Sequence, residues 1–422
     1  MEKNKKVGIL TSFSEFVNSY SLCSVVESQL VALRKYGYDV VLFVLDNFKD
    51  DDKVPEGVEV RKIVPRFTLV DYADNHPTEK GFEEQVDTAV KTFTANFRDI
   101  DVMFTHDMLL QGWFLPYCVA VHKVAEVLDT KWFHWIHSVP NPMPQGLQEP
   151  HSLRYRLPKN SKLVYLNNYH LIRTAEAYGV FPKDVKVVYN PVDPRLFFDL
   201  DPLVSLLIDK YGLLESDFLQ VYPVSTPRMV EGKGLYKLID LQAEMKKLGK
   251  RFSVVVCNAH ANADKEKETI RQTKEYASQR GINTNDLIFT SLEGEQYELG
   301  VDRKVISDLL RISNLFVFPS RSENCSLILL EAMLSKNLLV LNDSVRCMRE
   351  FGAEDALYFK FSGIDEDITY DNYERWMNDV AKIIISEFST NKGLKSANNA
   401  KKRFNYDRIF KEQIETILNE QI

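Results

Sequence analysis

Apolar residues along the chain come in short runs of four to eight, separated by turns and by longer stretches where they recur at helical spacing. Lys6–Phe13 reads as a first strand. An amphipathic helix follows over Ser21–Tyr36, with Gly37 placed as the glycine that ends a helix. Strands are expected at Val40–Leu45, Val58–Val64, Asp101–Thr105, Trp132–Ile136, Leu163–Asn167 and Val185–Val188, with helical stretches between them. The proline-bearing segment YNPVDPRLFF then marks a domain junction. Beyond it the rhythm restarts, with strands at Phe218–Val224, Phe252–Cys257, Leu287–Thr290, Leu315–Phe318, Leu338–Leu341 and Leu357–Phe361. Helices are expected at Gly234–Leu248 and Ala263–Arg280, and the last 50 or so residues read as wholly helical. Strands alternating with helices predict α/β architecture, with parallel sheets in two doubly wound domains. A length of 422 residues exceeds what one core organises, which agrees with two domains.

Composition narrows the class. Apolar content of 45% and charged content of 27% are ordinary for a globular protein. A net charge of −7 argues against a general affinity for nucleic acid or anionic membrane, although a local basic patch is compatible with it. Five scattered cysteines without a CxxC pair support neither a zinc site nor a disulfide framework; reduced thiols and a cytoplasmic location are expected. No apolar run approaches the roughly 20 residues of a membrane span.

The richest stretch is FVFPSRSENCSLILLEAMLSKNLLVLND, from Phe316 to Asp343. It reads as a buried strand, a polar turn, a helix and a second buried strand. Glu323 sits at the strand's C-terminal end, where open α/β sheets bind ligands, and Glu331 follows eight residues later. The backbone N–H groups of Asn324, Cys325, Ser326 and Leu327 open a helix and favour negative charge on a ligand. A carboxylate here can accept two hydrogen bonds from a cis-diol, but an acid at a helix start is also the ordinary helix-dipole pattern.

Arg228 and Lys233 lie in VSTPRMVEGKGLYKLI, after a strand and around a helix start. A guanidinium fork, an ammonium and a glycine turn suit a diphosphate; two solvated surface charges fit the same pattern. His106 and His137 each end an apolar strand, in DVMFTHD and WFHWIHS, whereas His134 falls mid-strand and reads as a satisfied core histidine. No GxxxxGK[ST] loop is present and no GxGxxG follows the first strand, which argues against a P-loop kinase and a dehydrogenase. Of the DxD triplets, the one at Asp99 opens a strand and the one at Asp199 lies in the junction, so neither of these reads as a metal site.

Taken together these residues resemble the retaining glycosyltransferases of the GT-B fold, family-4-like. Glu323 and Glu331 match that group's E-x7-E element with its LLEAM-type helix. Arg228 and Lys233 match its Arg and Lys at a spacing of five. YNPVD at Tyr189–Asp193 resembles its interdomain N-G-V-D, Asp101–Asp107 its D-V-V-H-x-H-D strand end, and RFNYDRIFKEQ its last helix.

The resemblance implies two Rossmann-like domains facing a central cleft: residues 1–192 on the acceptor side, 193–400 for the nucleotide-sugar donor, and a C-terminal helix, 401–422, returning to the first domain. It implies transfer of a sugar from a nucleotide-diphosphate sugar to an acceptor hydroxyl, with retention, without a bound metal or other cofactor, and with domain closure around the site. Arg228 and Lys233 would hold the diphosphate and stabilise the leaving group, and Glu331 the nucleotide ribose. Glu323 and the amides of Asn324 to Leu327 would hold the sugar hydroxyls, and His137 would contact the donor sugar.

The chain departs from that pattern in four places. TSFSEFVNSYS after the first strand lacks the usual paired glycines, leaving Ser12, Ser14, Asn18 and Ser19 as its polar groups. Asn324-Cys325-Ser326 replaces Gly-Phe-Gly. Cys257-Asn258-Ala259 lacks a glycine turn, and Ser291-Leu292-Glu293 differs near the usual base pocket.

For the acceptor side the candidates are Ser12, Ser14, His106 and Asp107, with a basic, tyrosine-bearing segment from His151 to Arg173 that contains Arg154, Arg156, Lys159 and Lys162 and no acid. Such a segment reads first as a solvated face, and it also fits a phosphate-bearing acceptor (a lipid phosphate, a sugar phosphate, or DNA with a hydroxylated base). A glycan or small soluble acceptor is the remaining choice. The alternative activities are a DNA glycosyltransferase, a sugar phosphorylase or synthase acting on a small acceptor, and a non-catalytic nucleotide-sugar-binding subunit.

Overall fold

The computed structural model describes residues 5–17, 19–68, 70–72, 76–139, 141–364 and 366–420; Asn18 lies outside them. The chain divides into two compact units, Met1–Pro191 with Tyr406–Ile422, and Val192–Asn405.

The first unit is built on a seven-stranded sheet: β1 (Lys6–Leu10), β2 (Asp39–Leu45), β3 (Val58–Val64), β4 (Val102–His106), β5 (Lys131–Ile136), β6 (Ser161–Tyr165) and β7 (Val185–Val187). Every pairing is parallel and the spatial order is β3-β2-β1-β4-β5-β6-β7. This is the doubly wound order, which reverses direction between β1 and β4. Helices cover both faces, so the strands are apolar on both sides. In β2, Val41 and Phe43 join one core, while Val40, Leu42 and Val44 join the other. That second core also takes Tyr406, Ile409, Phe410 and Ile414 from the C-terminal segment, whose Phe410 ring stacks on Tyr36 at 4.2 Å. Hence the last helical residues belong to this unit.

Strand β1 stops at Leu10, three residues before the expected end. Thr11 turns the chain: its hydroxyl joins its own amide on the Phe43 carbonyl, at 3.1 and 3.0 Å. Residues 11–17 thereby leave the strand as a loop at the point where the sheet reverses.

The second unit has strands β8 (Phe218–Ser225), β9 (Phe252–Ala259), β10 (Leu287–Phe289), β11 (Leu315–Phe318), β12 (Leu338–Asn342) and β13 (Ala356–Phe359). They form two parallel three-stranded sheets, β10-β9-β8 and β11-β12-β13. Side chains join β8 to β11. The amide of Gln220, fully buried in β8, donates to the Val317 carbonyl and accepts from the Val317 N–H, both at 2.8 Å. Asn314 Oδ1 likewise accepts from Leu219 N at 2.9 Å. A carboxamide presents one donor and one acceptor, like a peptide group, so these bonds replace missing rungs of the ladder. The combined order again reverses between its first strand, β8, and its fourth, β11.

No helix among the described residues is long and apolar enough to cross a membrane.

Candidate functional site

In the second unit the loops that leave β8 and β11 meet at the reversal point. After β8 the chain makes a short turn at Thr226–Arg228 and enters the helix Leu235–Lys247. The Lys233 amide donates to the Arg228 carbonyl at 2.9 Å, the Arg321 amide to the Gly232 carbonyl at 3.1 Å, and the Tyr222 hydroxyl to the Lys233 carbonyl. Gly234 has φ +73°, and a Cβ there would stand 2.7 Å from the Pro319 carbonyl oxygen. Only glycine lets the two loops approach this closely.

That approach joins two of the residues singled out by sequence. Lys233 Nζ pairs with the Glu323 carboxylate, both side chains largely buried, at 19% and 11% exposure. The Lys233 ammonium also lies 5.6 Å from the centre of the Phe318 ring. Arg228, by contrast, is exposed and its guanidinium has no hydrogen bond or ion pair among the described residues. The loop therefore offers one cation already neutralised and one open.

The helix Leu327–Leu334 begins beside this pair. Its N-cap, Ser326, makes no side-chain cap bond. The amides of Asn324, Cys325, Ser326 and Leu327 donate no hydrogen bond among the described residues. Four unsatisfied N–H groups stand at the positive end of the helix, next to Glu323. One turn on, Glu331 pairs with Arg303 Nη2 at 2.5 Å. Arg303 opens the helix Arg303–Ile312, and no local signal in the sequence ties it to Glu331. Cys347 was also unforeseen: its Sγ donates to the Glu323 carbonyl at 3.1 Å, anchoring the turn.

The departures noted at the β9 and β10 ends bond to one another. Asn258, buried, donates to the Ser291 hydroxyl at 2.8 Å and accepts from the Ser291 amide at 3.3 Å. Thr226 donates to the Ala259 carbonyl at 2.7 Å. Glu293 is held by Lys210 at 2.8 Å and by the Tyr211 hydroxyl.

In the first unit, β4 and β5 bring His106 and His137 together, with His106 Nδ1 2.9 Å from His137 Nε2. His106 Nε2 lies 3.0 Å from Gln29 Oε1. Burial drives the His106 pKa far down and lowers that of His137 to about 4, so both rings are neutral near pH 7 and can share a proton. Asp107 has φ +54° and accepts from the His137 amide at 2.8 Å; burial raises its pKa. His134 is fully buried between the hydroxyls of Thr105, at 2.8 Å, and Ser161, at 3.2 Å.

Ser12 and Ser14 line a cavity of about 370 Å³ with His106 as part of its wall. Arg154 and Arg156 are not among its lining residues. Arg154 is buried, its guanidinium donating to the carbonyls of Leu110 and Tyr72 at 2.8 and 3.2 Å. Arg156 pairs with Glu149 at 2.6 Å. Arg154 thus serves the unit's interior rather than an open phosphate site, because its guanidinium is buried and donates to backbone carbonyls.

No family model matches the chain, and no curated protein matches it. Among solved structures it is similar to a glycosyltransferase from Rickettsia africae ESF-5, with 14% identity over all of both chains and a TM-score of 0.38. It is also similar to Anabaena Alr3699/HepE in complex with UDP, with 14% identity over 99% of this chain and all of that one and a TM-score of 0.35. A trehalose-6-phosphate synthase, OtsA, gives 12% identity over the same shares and a TM-score of 0.35. At scores this low the likenesses are distant.

Proposed function

We propose that the protein is a retaining GT-B glycosyltransferase that moves a sugar from a nucleotide-diphosphate sugar to an acceptor hydroxyl. One observation carries the reading. At the reversal point of the second unit, Lys233, Glu323, an open Arg228 and the free amides of Asn324 to Leu327 converge on one edge. An anionic diphosphate would take the Arg228 fork and compete with Glu323 for the Lys233 ammonium. Glu323, so released, and the helix-start amides would accept from and donate to sugar hydroxyls. Glu331 would bind the ribose. Leaving-group charge would then be stabilised by fixed cations and the helix dipole, a role that requires no metal.

In the first unit, His137 is the candidate contact to the donor sugar, and the cavity beside Ser12, Ser14 and His106 the candidate acceptor site, with Asp107 orienting His137 through its amide.

The test is thermal stability against UDP, GDP, ADP, dTDP and CMP, with and without EDTA. A ligand at about 100 times its Kd adds roughly 2.7 kcal/mol, enough to raise the midpoint by a few degrees. A rise with one diphosphate, unchanged by EDTA, is expected. No rise with any nucleotide would remove the transferase reading.

A further inference from the structure

The cavity of the first unit has walls that select a ligand class. It lies where the sheet reverses, between the loop after β1 and the end of β4. Phe13 and Tyr20 face each other edge-on at 6.3 Å on one side. Phe67, stacked on Tyr117 at 5.0 Å, and Phe114 form another. The Ser12 and Ser14 hydroxyls make no hydrogen bond among the described residues, so both are open to a ligand hydroxyl. Both His106 nitrogens are already engaged. A volume of about 370 Å³ falls at the low end of the range of about 300 to 1,000 Å³ for small-molecule pockets.

Charge decides between the acceptor classes. The cavity's one arginine, Arg66, is paired with Asp46 at 2.8 Å, and Glu15 adds an exposed carboxylate with no ion-pair partner among the described residues. The cavity thus carries no net positive charge. In the basic segment Arg154 is buried on carbonyls, Arg156 is paired with Glu149 and Lys162 with Asp184; Lys159 is exposed with no ion-pair partner among the described residues, and it does not line the cavity. A phosphate-bearing acceptor or a nucleic acid needs unpaired cations, which the lining of the cavity does not provide.

We propose that this cavity takes a neutral aromatic alcohol, its ring packed among Phe13, Tyr20, Phe67, Phe114 and Tyr117 and its hydroxyl bonded to Ser12 or Ser14. That this ligand is the sugar acceptor rests on the transferase reading above; that the cavity binds it does not.

Calorimetric titration of the full chain with 2-naphthol at pH 7 tests it. One site is expected. Tyr20→Ala should weaken binding roughly tenfold by removing an aromatic wall, and Ser12→Trp should abolish it by filling the cavity. Tyr20 is 49% exposed and makes no side-chain cap bond to the helix it precedes, so its removal leaves folding intact. Lys233→Ala should leave naphthol binding unchanged. Absence of binding, or binding indifferent to Tyr20→Ala, would overturn the proposal, as would displacement of naphthol by an oligonucleotide containing 5-hydroxymethylcytosine. If naphthol fails while a nucleoside diphosphate still stabilises the chain, the ligand class falls and the donor site stands. If naphthol binds as expected in a chain that no nucleoside diphosphate stabilises, the ligand class is supported and the transferase reading falls.

Discussion

Lys233 and Glu323, ninety residues apart in the chain, form an ion pair at the edge where β8 and β11 end. Arg228, five residues before the lysine, stays exposed and unpaired among the described residues. The two cations should therefore behave differently when removed.

Lys233→Ala leaves the Glu323 carboxylate without its partner in a largely buried setting. Breaking one side of a buried pair costs up to about 3–5 kcal/mol, and partial exposure here places the loss lower in that range or beneath it. Arg228→Ala should change stability by no more than about 0.5 kcal/mol. Both should cut sugar transfer by about 10²-fold or more, as for loss of an electrostatic stabiliser. Urea unfolding and turnover, measured on the two variants together, check this: near-normal transfer by both would remove the diphosphate site.

Glu331 is held by Arg303, whose side chain is 81% exposed. An ion pair this open contributes little, at most about 1 kcal/mol. Glu331→Ala is expected to raise the Kd of the nucleoside diphosphate. Arg303→Ala should leave it unchanged or lower it, because the carboxylate is then free for a ribose. Equal weakening by both variants would mean that the arginine itself touches the nucleotide.

Gln220 is one of the two side chains, with Asn314, that join the half-sheets of the second unit. Gln220→Leu would leave both the Val317 N–H and carbonyl unpaired inside the unit. Each buried unsatisfied group costs about 1–3 kcal/mol, so a loss of roughly 2–5 kcal/mol is expected. Equilibrium urea unfolding measures it, and a loss under about 1 kcal/mol would mean the two half-sheets hold together without this bridge.

Neutral buried histidines make the fold sensitive to acid. Burial lowers the pKa of His137 to about 4 and of His134 to about 3. The unfolded chain takes up protons on these rings below about pH 6.5, and the folded chain does so only near the lowered values. Stability is therefore fully present above pH 6.5 and is lost as pH falls, by up to about 1.4 kcal/mol per pH unit for each ring. The His137 contribution levels off below pH 4. Urea midpoints at pH 7, 6 and 5 should fall in sequence, and His134→Gln should flatten the slope. A flat profile in the unsubstituted protein would show these rings to be solvated.

Much of the second unit's edge was legible from local pattern. The run from Phe316 to Asp343 contains a strand, a turn, the helix Leu327–Leu334 and a strand, as its apolar spacing predicts. Gly37, expected to end the first long helix, has φ +85°. The end of β1 was not legible, because Phe13 is as apolar as Leu10 and only the Thr11 hydroxyl on the Phe43 carbonyl shows where the chain turns away. The pairing of two cations in the basic segment was out of sight for a similar reason. Its window excludes Glu149, two residues before it, and Asp184, beyond its end, and these are the acids that neutralise Arg156 and Lys162.

The sequence by itself determined the alternation of strands and helices, the restart of that rhythm after Tyr189-Asn190-Pro191, and the residue types gathered at each strand end. These are local properties, set by side-chain periodicity and turn chemistry within a few residues. Only the tertiary structure decided that Lys233 meets Glu323, that Arg303 meets Glu331, that Gln220 completes a ladder, and that Arg154 is buried. Each of those facts depends on which parallel strands become neighbours. A parallel crossover spans a dozen residues or more, so its partners leave no mark at short range in the chain.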